Sequence, residues 1–254
     1  MSSTSSSAAK TQKASHWFDE TTRTIIMAVL IAMLVRMFAF EPFNIPSSSM
    51  VPNLLVGDFL FVSKYSYGYS SRSALFGLLP VSGRVLGSPP KRGDVVVFKL
   101  PQNNSTDYIK RVVGLPGDRI QVRNGLLYIN GVAAERRRLS APEAEEYLTP
   151  SPSAVDYEET FPDGGTHIIR KEGDRFPLDN TEVFEVPPGH YFMMGDNRNN
   201  SQDSRTSKVG FVPEDNIVGR AEILFFSLDE DARFWEFWKW PWAVRWGRLF
   251  KRIR

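Results

Sequence analysis

Three consecutive serines, Ser47, Ser48 and Ser49, stand between Pro46 and Pro52 in the stretch F-N-I-P-S-S-S-M-V-P-N-L, residues 43–54. Proline fixes its own φ and restricts the residue before it. The frame therefore predicts stiff, extended backbone rather than helix, which suits a hydroxyl held out as a nucleophile. A Ser/Pro linker fits the same residues. A nucleophilic serine needs a base to take its proton, and both Ser-His-Asp and Ser-Lys arrangements supply one. His16, His167 and His190 lie far apart in sequence with no functional spacing, so lysine is the better candidate. The chain has no cysteine, which excludes a thiol nucleophile, disulfides and thiolate metal sites.

A free lysine is neutral in fewer than about one molecule in a thousand at pH 7, so a basic lysine must be desolvated. That calls for a lysine among apolar neighbours on a strand. Lys110 fits, with Ile109 before it and Val112 and Val113 after it. Lys99, after the apolar residues 95–98, is a rival by the same argument. An exposed edge charge is the plain alternative for either. Arg111 cannot deprotonate, and strand alternation sends it to the face opposite Lys110.

The elements that must position these groups are legible in outline. The chain's 254 residues suffice for one sizeable domain or two small ones, and 42% hydrophobic residues allow a packed core. A net charge of +2 gives no reason to expect a nucleic-acid partner. Residues 1–23 form a polar tail, read as disordered where apolar periodicity is lacking over 1–16. Residues 24–40 carry one charge, Arg36, and with Phe43 and Ile45 beyond them just suffice for a transmembrane helix. No small-x-small cleavage site follows, so the span reads as a retained anchor. Lys10, Lys13 and Arg23 precede it, whereas the next basic residue after it is Lys64. That bias places the tail in the cytoplasm and the rest on the far side.

Beyond the span the fold class is mainly β. Short β-branched or aromatic runs at 57–65, 92–99, 107–114, 115–122 and 124–132 are separated by Gly, Pro and Asp turns. Asn124-Gly125 and Asn130-Gly131 are hairpin signals. Strand pattern resumes at 183–194 and again at 217–226. An antiparallel β-sheet catalytic core is expected over 41–133 and 183–227. Over 134–182 the strand pattern fades, and an inserted subdomain is expected there; residues 71–90 read as a flexible ribbon or loop. Residues 228–254 hold five of the six tryptophans among Arg and Lys, an amphipathic aromatic/basic segment suited to a membrane interface. A helix packed on the domain's own core is the alternative.

Several ordered blocks then carry a resemblance: P-S-S-S-M-V-P-N-L (46–54), G-D-F-L-F-V (57–62), R-G-D-V-V-V-F (92–98), D-Y-I-K-R-V-V-G-L-P-G-D (107–118) and G-D-N-R-N-N-S-Q-D-S-R (195–205). With the apolar span before them, they resemble the type I signal peptidases of bacteria, Ser-Lys membrane peptidases that cleave signal peptides from exported preproteins. The resemblance implies Ser49 as nucleophile and Lys110 as general base. It implies Ser47 as an oxyanion donor beside the Ser49 N–H, and Ser201 as the hydroxyl that orients the lysine. Asp203 with Arg205, and Asp196 with Arg111, match structural ion pairs. Ile45, Pro46, Met50, Leu54, Tyr108 and Ile109, with Phe43, Leu60 and Val97 deeper, match the lining of pockets for small substrate side chains; β-core packing is the alternative for each. The implied setting is the bacterial inner membrane, single-pass, with the catalytic domain on the periplasmic side. The partners are preprotein signal peptides and the lipid bilayer, with no metal or cofactor.

Three departures stand out. Ser48 replaces a frequent glycine, Asn199 a frequent aspartate, and T-S-K-V-G-F-V-P after Arg205 is longer than the usual link. Ser48 is the serine expected to tolerate change. A pilus-processing Ser-Lys protease and a catalytically inactive, membrane-anchored scaffold are the rival readings.

Overall fold

The apolar span becomes part of one long helix, α1 (Ser5–Phe38). The computed structural model describes residues 5–70, 84, 85, 87–140, 143, 153–173, 176–229, 232 and 235–253. Among these, Glu20–Phe38 is the one stretch of helix long and apolar enough to cross a membrane, and none of it is buried against the rest of the protein. The helix starts earlier than the disordered tail anticipated. Nucleation is the costly step in helix formation, and Ala, Lys and Gln propagate cheaply from a helix already formed.

Next come β1 (Phe40–Asn44), β2 (Asp58–Ser63), β3 (Val95–Lys99), β4 (Asp107–Gly114), β5 (Arg119–Arg123), β6 (Leu126–Ile129) and β7 (Val132–Ala133). The insert supplies β8 (Glu135–Arg138), β9 (Val155–Thr160) and β10 (Thr166–Lys171). The chain then returns through β11 (Phe184–Glu185), β12 (His190–Met194), β13 (Val212–Pro213) and β14 (Ile217–Ser227). Seven strands form the main sheet in the order β1-β2-β14-β3-β4-β12-β13, with all its paired strands antiparallel. The fold is thus mainly β and antiparallel, as the strand pattern predicts.

Both faces of the main sheet are covered. Val95 and Val97 join Ile45, Met50, Leu54 and Leu60 in one apolar cluster, while Val96 and Phe98 join Val112, Tyr191 and Met193 in another. Period-2 alternation across two buried faces explains why V-V-V-F reads as a continuous apolar run. A four-stranded sheet, β11-β5-β6-β7, packs a third cluster around Ile120, Leu127 and Phe192. Its β5–β6 turn uses Asn124 at φ 49° and Gly125 at φ 73°, the left-handed pair that the Asn-Gly signal predicts.

The insert corrects the sequence reading. Its strands β10-β9-β8 form a third sheet where strand pattern was expected to fade. The alternation is hidden because several buried positions are charged. Asp156, Glu159, Arg170 and Lys171 are all buried, and Arg170–Asp156, Arg198–Glu159 and Lys171–Asp179 are paired. The middle of the insert and most of 71–90 lie outside the described residues. After Arg205 the longer link closes a turn, Gly210 N–H to Thr206 O at 2.9 Å, and runs into β13.

The C-terminal segment contains α2 (Trp240–Ala243). Ala243 and Val244 are buried with Leu228, and Trp240 packs against Phe226 with ring centroids 5.0 Å apart. Trp235, Phe237, Trp238, Trp242, Trp246 and Phe250 remain exposed. The segment therefore packs on the domain through one side and presents aromatic rings on the other.

Candidate active site

Ser49 lies in a single turn of 3-10 helix, Ser48–Met50, after an extended Ser47 at φ −137°, ψ 153°. This departs from the extended backbone expected across all three serines. Pro52 constrains only Val51, which is extended at φ −61°, ψ 137°; the residues before it are free to close a turn, Val51 N–H to Ser48 O at 3.2 Å. The loop's ends are tied by Ile45 N–H to Asp58 O at 2.8 Å and Gly57 N–H to Ile45 O at 3.1 Å. Ser49 is 8% exposed and Met50 beside it is fully buried.

Strand β4 brings Lys110 to this turn. Lys110 Nζ donates to Ser49 Oγ at 2.6 Å and to the Ile109 carbonyl at 2.8 Å, and the residue is 3% exposed. Burial lowers its pKa from 10.5 to about 8, with Asp203 and Asp196 partly offsetting that shift. The Tyr108 ring lies 5.5 Å from Nζ. Ser47 Oγ stands 3.3 Å from Ser49 Oγ. Lys99 is instead partly exposed and paired with Asp107 at 2.8 Å, which holds it away from the serine.

The loop leaving β12 fixes both groups from behind. Arg111 grips Asp196 in a bidentate pair at 2.8 and 2.7 Å, on a residue adjacent to the lysine yet turned from it. Arg205 grips Asp203 likewise at 2.8 Å twice. Burial alone would raise the Asp203 pKa, but Arg205 and the Gly195 N–H outweigh it and hold the carboxylate ionised. Ser201 also helps lower that pKa, although its buried Oγ makes no hydrogen bond of normal geometry. The two Nζ bonds of Lys110 go to Ser49 and Ile109, and Ser201 takes no part in them. Gly195 has no room for a side chain: a Cβ there would collide with Ser201 Oγ and sit 2.5 Å from the Ser49 carbonyl oxygen.

Several supporting residues gave no signal of their own. Asn197 N–H donates to Ser49 O at 3.1 Å and its Nδ2 to Ser48 O at 3.2 Å. Asn200 Nδ2 donates to Ser48 Oγ at 2.9 Å, so the serine expected to tolerate change has a partner. Asn53 Nδ2 bridges Ile168 O and Asp196 Oδ2 at 2.6 and 2.7 Å. The insert reaches the same loop, since Arg170 N–H donates to Asp196 O at 2.9 Å and Asn199 Oδ1 accepts from Glu172 N–H at 2.8 Å. Asn197 and Asn200 fall inside a block already singled out, but backbone-holding amides carry no pattern of their own.

β12 covers β4 only from Arg111 to Gly114, so the β4 edge at 107–110 is open. A cavity of about 470 Å³ lies there. It is lined by Pro46, the three serines, residues 106–110, Asn200 and Gln202. Of the residues read as substrate contacts, Pro46, Tyr108 and Ile109 line it. Ile45, Met50, Leu54, Leu60 and Val97 are buried in the apolar cluster, with Phe43 packed against it, so they back the cavity rather than line it. An open cleft with a serine, a desolvated lysine and a free strand edge can hold an extended chain and attack a carbonyl.

A model of the family described as signal peptidase, peptidase S26, matches residues 18–226. A signal peptidase I from Rickettsia conorii is 41% identical, over 78% of this chain and 76% of that protein. One from Rickettsia typhi is 38% identical, over 89% of this chain and 90% of that protein. A solved signal peptidase I from Enterococcus faecalis is 30% identical, covers 52% of this chain and 97% of that one, and has a TM-score of 0.32.

Proposed function

We propose, from the premise that the chain belongs to the signal peptidase family, peptidase S26, that it is a membrane-anchored serine endopeptidase that removes signal peptides from preproteins. The observation that carries this reading is the 2.6 Å contact between Lys110 Nζ and Ser49 Oγ, both shielded from water.

Neutral Lys110 takes the Ser49 proton as Oγ attacks the scissile carbonyl. The oxyanion that forms is held by the Ser49 N–H and the Ser47 hydroxyl; losing one such donor typically costs about 10²–10³ in rate. Lys110 then gives its proton to the leaving amine as the C–N bond breaks and an acyl-Ser49 ester remains. Water, deprotonated by the same lysine, hydrolyses that ester and restores the serine. Ser201 serves the lysine indirectly, through Asp203. The Arg111–Asp196 and Arg205–Asp203 pairs keep like charge away from Nζ while fixing the surrounding backbone. Signal-peptide cleavage sites carry small residues at the first and third positions before the cut, and Pro46, Tyr108 and Ile109 offer apolar walls that suit them. The open edge of β4 suits an extended substrate backbone, which would pair there as an added strand.

α1 anchors the domain, with the basic residues before the span on the cytoplasmic side. The exposed Trp and Phe rings of the C-terminal segment rest at the lipid interface. That places Ser49 near the membrane surface where an exported chain emerges. The test is incubation of the purified protein with a preprotein in detergent, followed by sequencing of the new N-terminus. A cut at the signal-peptide boundary that disappears in Ser49→Ala supports the reading; an unprocessed preprotein, or equal processing by Ser49→Ala, overturns it.

A further inference from the structure

The aromatic C-terminal segment sends one buried cation into the loop that carries the nucleophile. Arg248 is 2% exposed although its neighbours Trp246 and Phe250 face outward. Its Nε donates to Asp58 Oδ1 at 3.0 Å, and its Nη2 to Asp58 Oδ2 at 2.5 Å and to the Asn53 carbonyl at 2.9 Å. Asp58 in turn accepts from Leu55 N–H at 2.8 Å and from Ser227 Oγ at 2.7 Å. Arg245, three residues earlier, donates to Val56 O at 2.8 Å. The serine loop, closed at its base between Ile45 and Asp58, is thus gripped along residues 53–58 by two arginines from the other end of the chain.

Asn53 is held from both sides. Arg248 takes its carbonyl, while its side-chain amide donates to Asp196, the carboxylate paired with Arg111 beside the base. From Asn53 the restraint runs back to the nucleophile through Leu54 N–H to Met50 O at 2.9 Å, one residue after Ser49. A planar guanidinium making three bonds in a fixed fork sets an angle as well as a distance, which an ammonium does not.

We infer that Arg248 is a positioning residue for Ser49: it clamps the nucleophile loop so that Oγ meets Lys110 Nζ, and the C-terminal segment is part of the catalytic apparatus rather than only a membrane contact. The inference rests on the Ser49–Lys110 reading above. Misplacement of a reacting group by about 1 Å costs on the order of 100-fold in rate, so a loosened clamp is read in turnover. It also admits water to the lysine, which restores part of the desolvation lost from its charged form and moves its pKa upward.

The test is Arg248→Lys in the full chain in detergent, assayed for kcat, KM and the pH profile on a preprotein. The expected result is a fall in kcat of about 10- to 100-fold, little change in KM, and an acid limb shifted to higher pH. Arg92→Lys serves as the comparison. Arg92 pairs with Asp118 and Asp163, away from the serine loop, so its variant should lose stability without moving the acid limb. Should Arg248→Lys not fold, Arg245→Lys loosens the same loop at Val56 and is read the same way. Unchanged kcat and acid limb in a folded clamp variant overturn the inference, as does an equal shift in Arg92→Lys. Ser49→Ala, run alongside, separates the outcomes: if it still cleaves, the dyad itself is wrong, whereas its inactivity beside a wild-type-like Arg248→Lys removes only the clamp.

Discussion

Lys110 is kept where its charged form is disfavoured, and that has opposite consequences for stability and activity. Its folded pKa of about 8 lies below the ordinary lysine value of 10.5. Folded protein therefore binds fewer protons than unfolded protein between those two values. Stability should rise as pH increases from about 8 to about 10.5, and below 8 the full penalty, about 3 kcal/mol, should be present. Lys110→Met removes a buried cation and keeps the volume. It should raise stability at pH 7 by up to about 3 kcal/mol in denaturant unfolding while abolishing cleavage. A stability unchanged or lowered by Lys110→Met would contradict the desolvated lysine. In the native enzyme kcat/KM should rise with pH through about 8, as Lys110 loses its proton. An activity flat down to about pH 5 would rule out a base of this kind.

At the scale of elements, the loop of residues 195–205 matters as much as the strand that carries the base. Its first residue meets the Ser49 carbonyl so closely that no Cβ fits. Gly195→Ala should lower kcat by about 10²-fold, in line with an ångström of displacement, while circular dichroism stays native. Wild-type turnover in that variant would show that the loop yields without disturbing Ser49. Asp203 is fully buried and bonded to Arg205 and the Gly195 N–H. Replacing it with alanine leaves Arg205 uncompensated, which should destabilise by about 3–5 kcal/mol, read as a lower denaturation midpoint. The same logic explains why β8, β9 and β10 escaped a reading based on hydrophobic alternation. Their buried positions include paired charges such as Arg170 with Asp156, and pairing is visible only once the strands are assembled.

For the whole molecule, the apolar helix and the β domain are nearly independent. The membrane-length stretch of α1 is not buried against the domain, and its described links beyond β1 are the Tyr69 hydroxyl donating to Phe38 O at 2.5 Å and an edge contact between the Phe38 and Tyr69 rings. A chain beginning at residue 39 should fold with stability within about 1 kcal/mol of the full protein. It should also keep binding vesicles through its C-terminal rings and cations. Tryptophan fluorescence with anionic vesicles should shift to the blue, and the shift should shrink in Trp242→Ser and at high salt. No shift with any vesicle would leave the exposed rings without a lipid partner.

The order of the blocks made the family and most strands legible in the residues themselves, because a strand's period and a turn's glycine are local properties. Ser49 and Lys110 are 61 positions apart; type and neighbours left a linker and Lys99 open as alternatives, and only the resemblance singled out the pair that the fold brings into contact. What only the folded chain decides is who holds them. Met50, Leu54, Leu60 and Val97 resembled substrate contacts but back the cavity, since depth below a surface depends on what packs above. Ser48 had a partner in Asn200, Asn53 in Asp196, and Arg248 in a loop 190 residues away. A hydrogen bond between distant segments leaves no period in either one, so the supports of the dyad emerge only when the sheet brings those segments together.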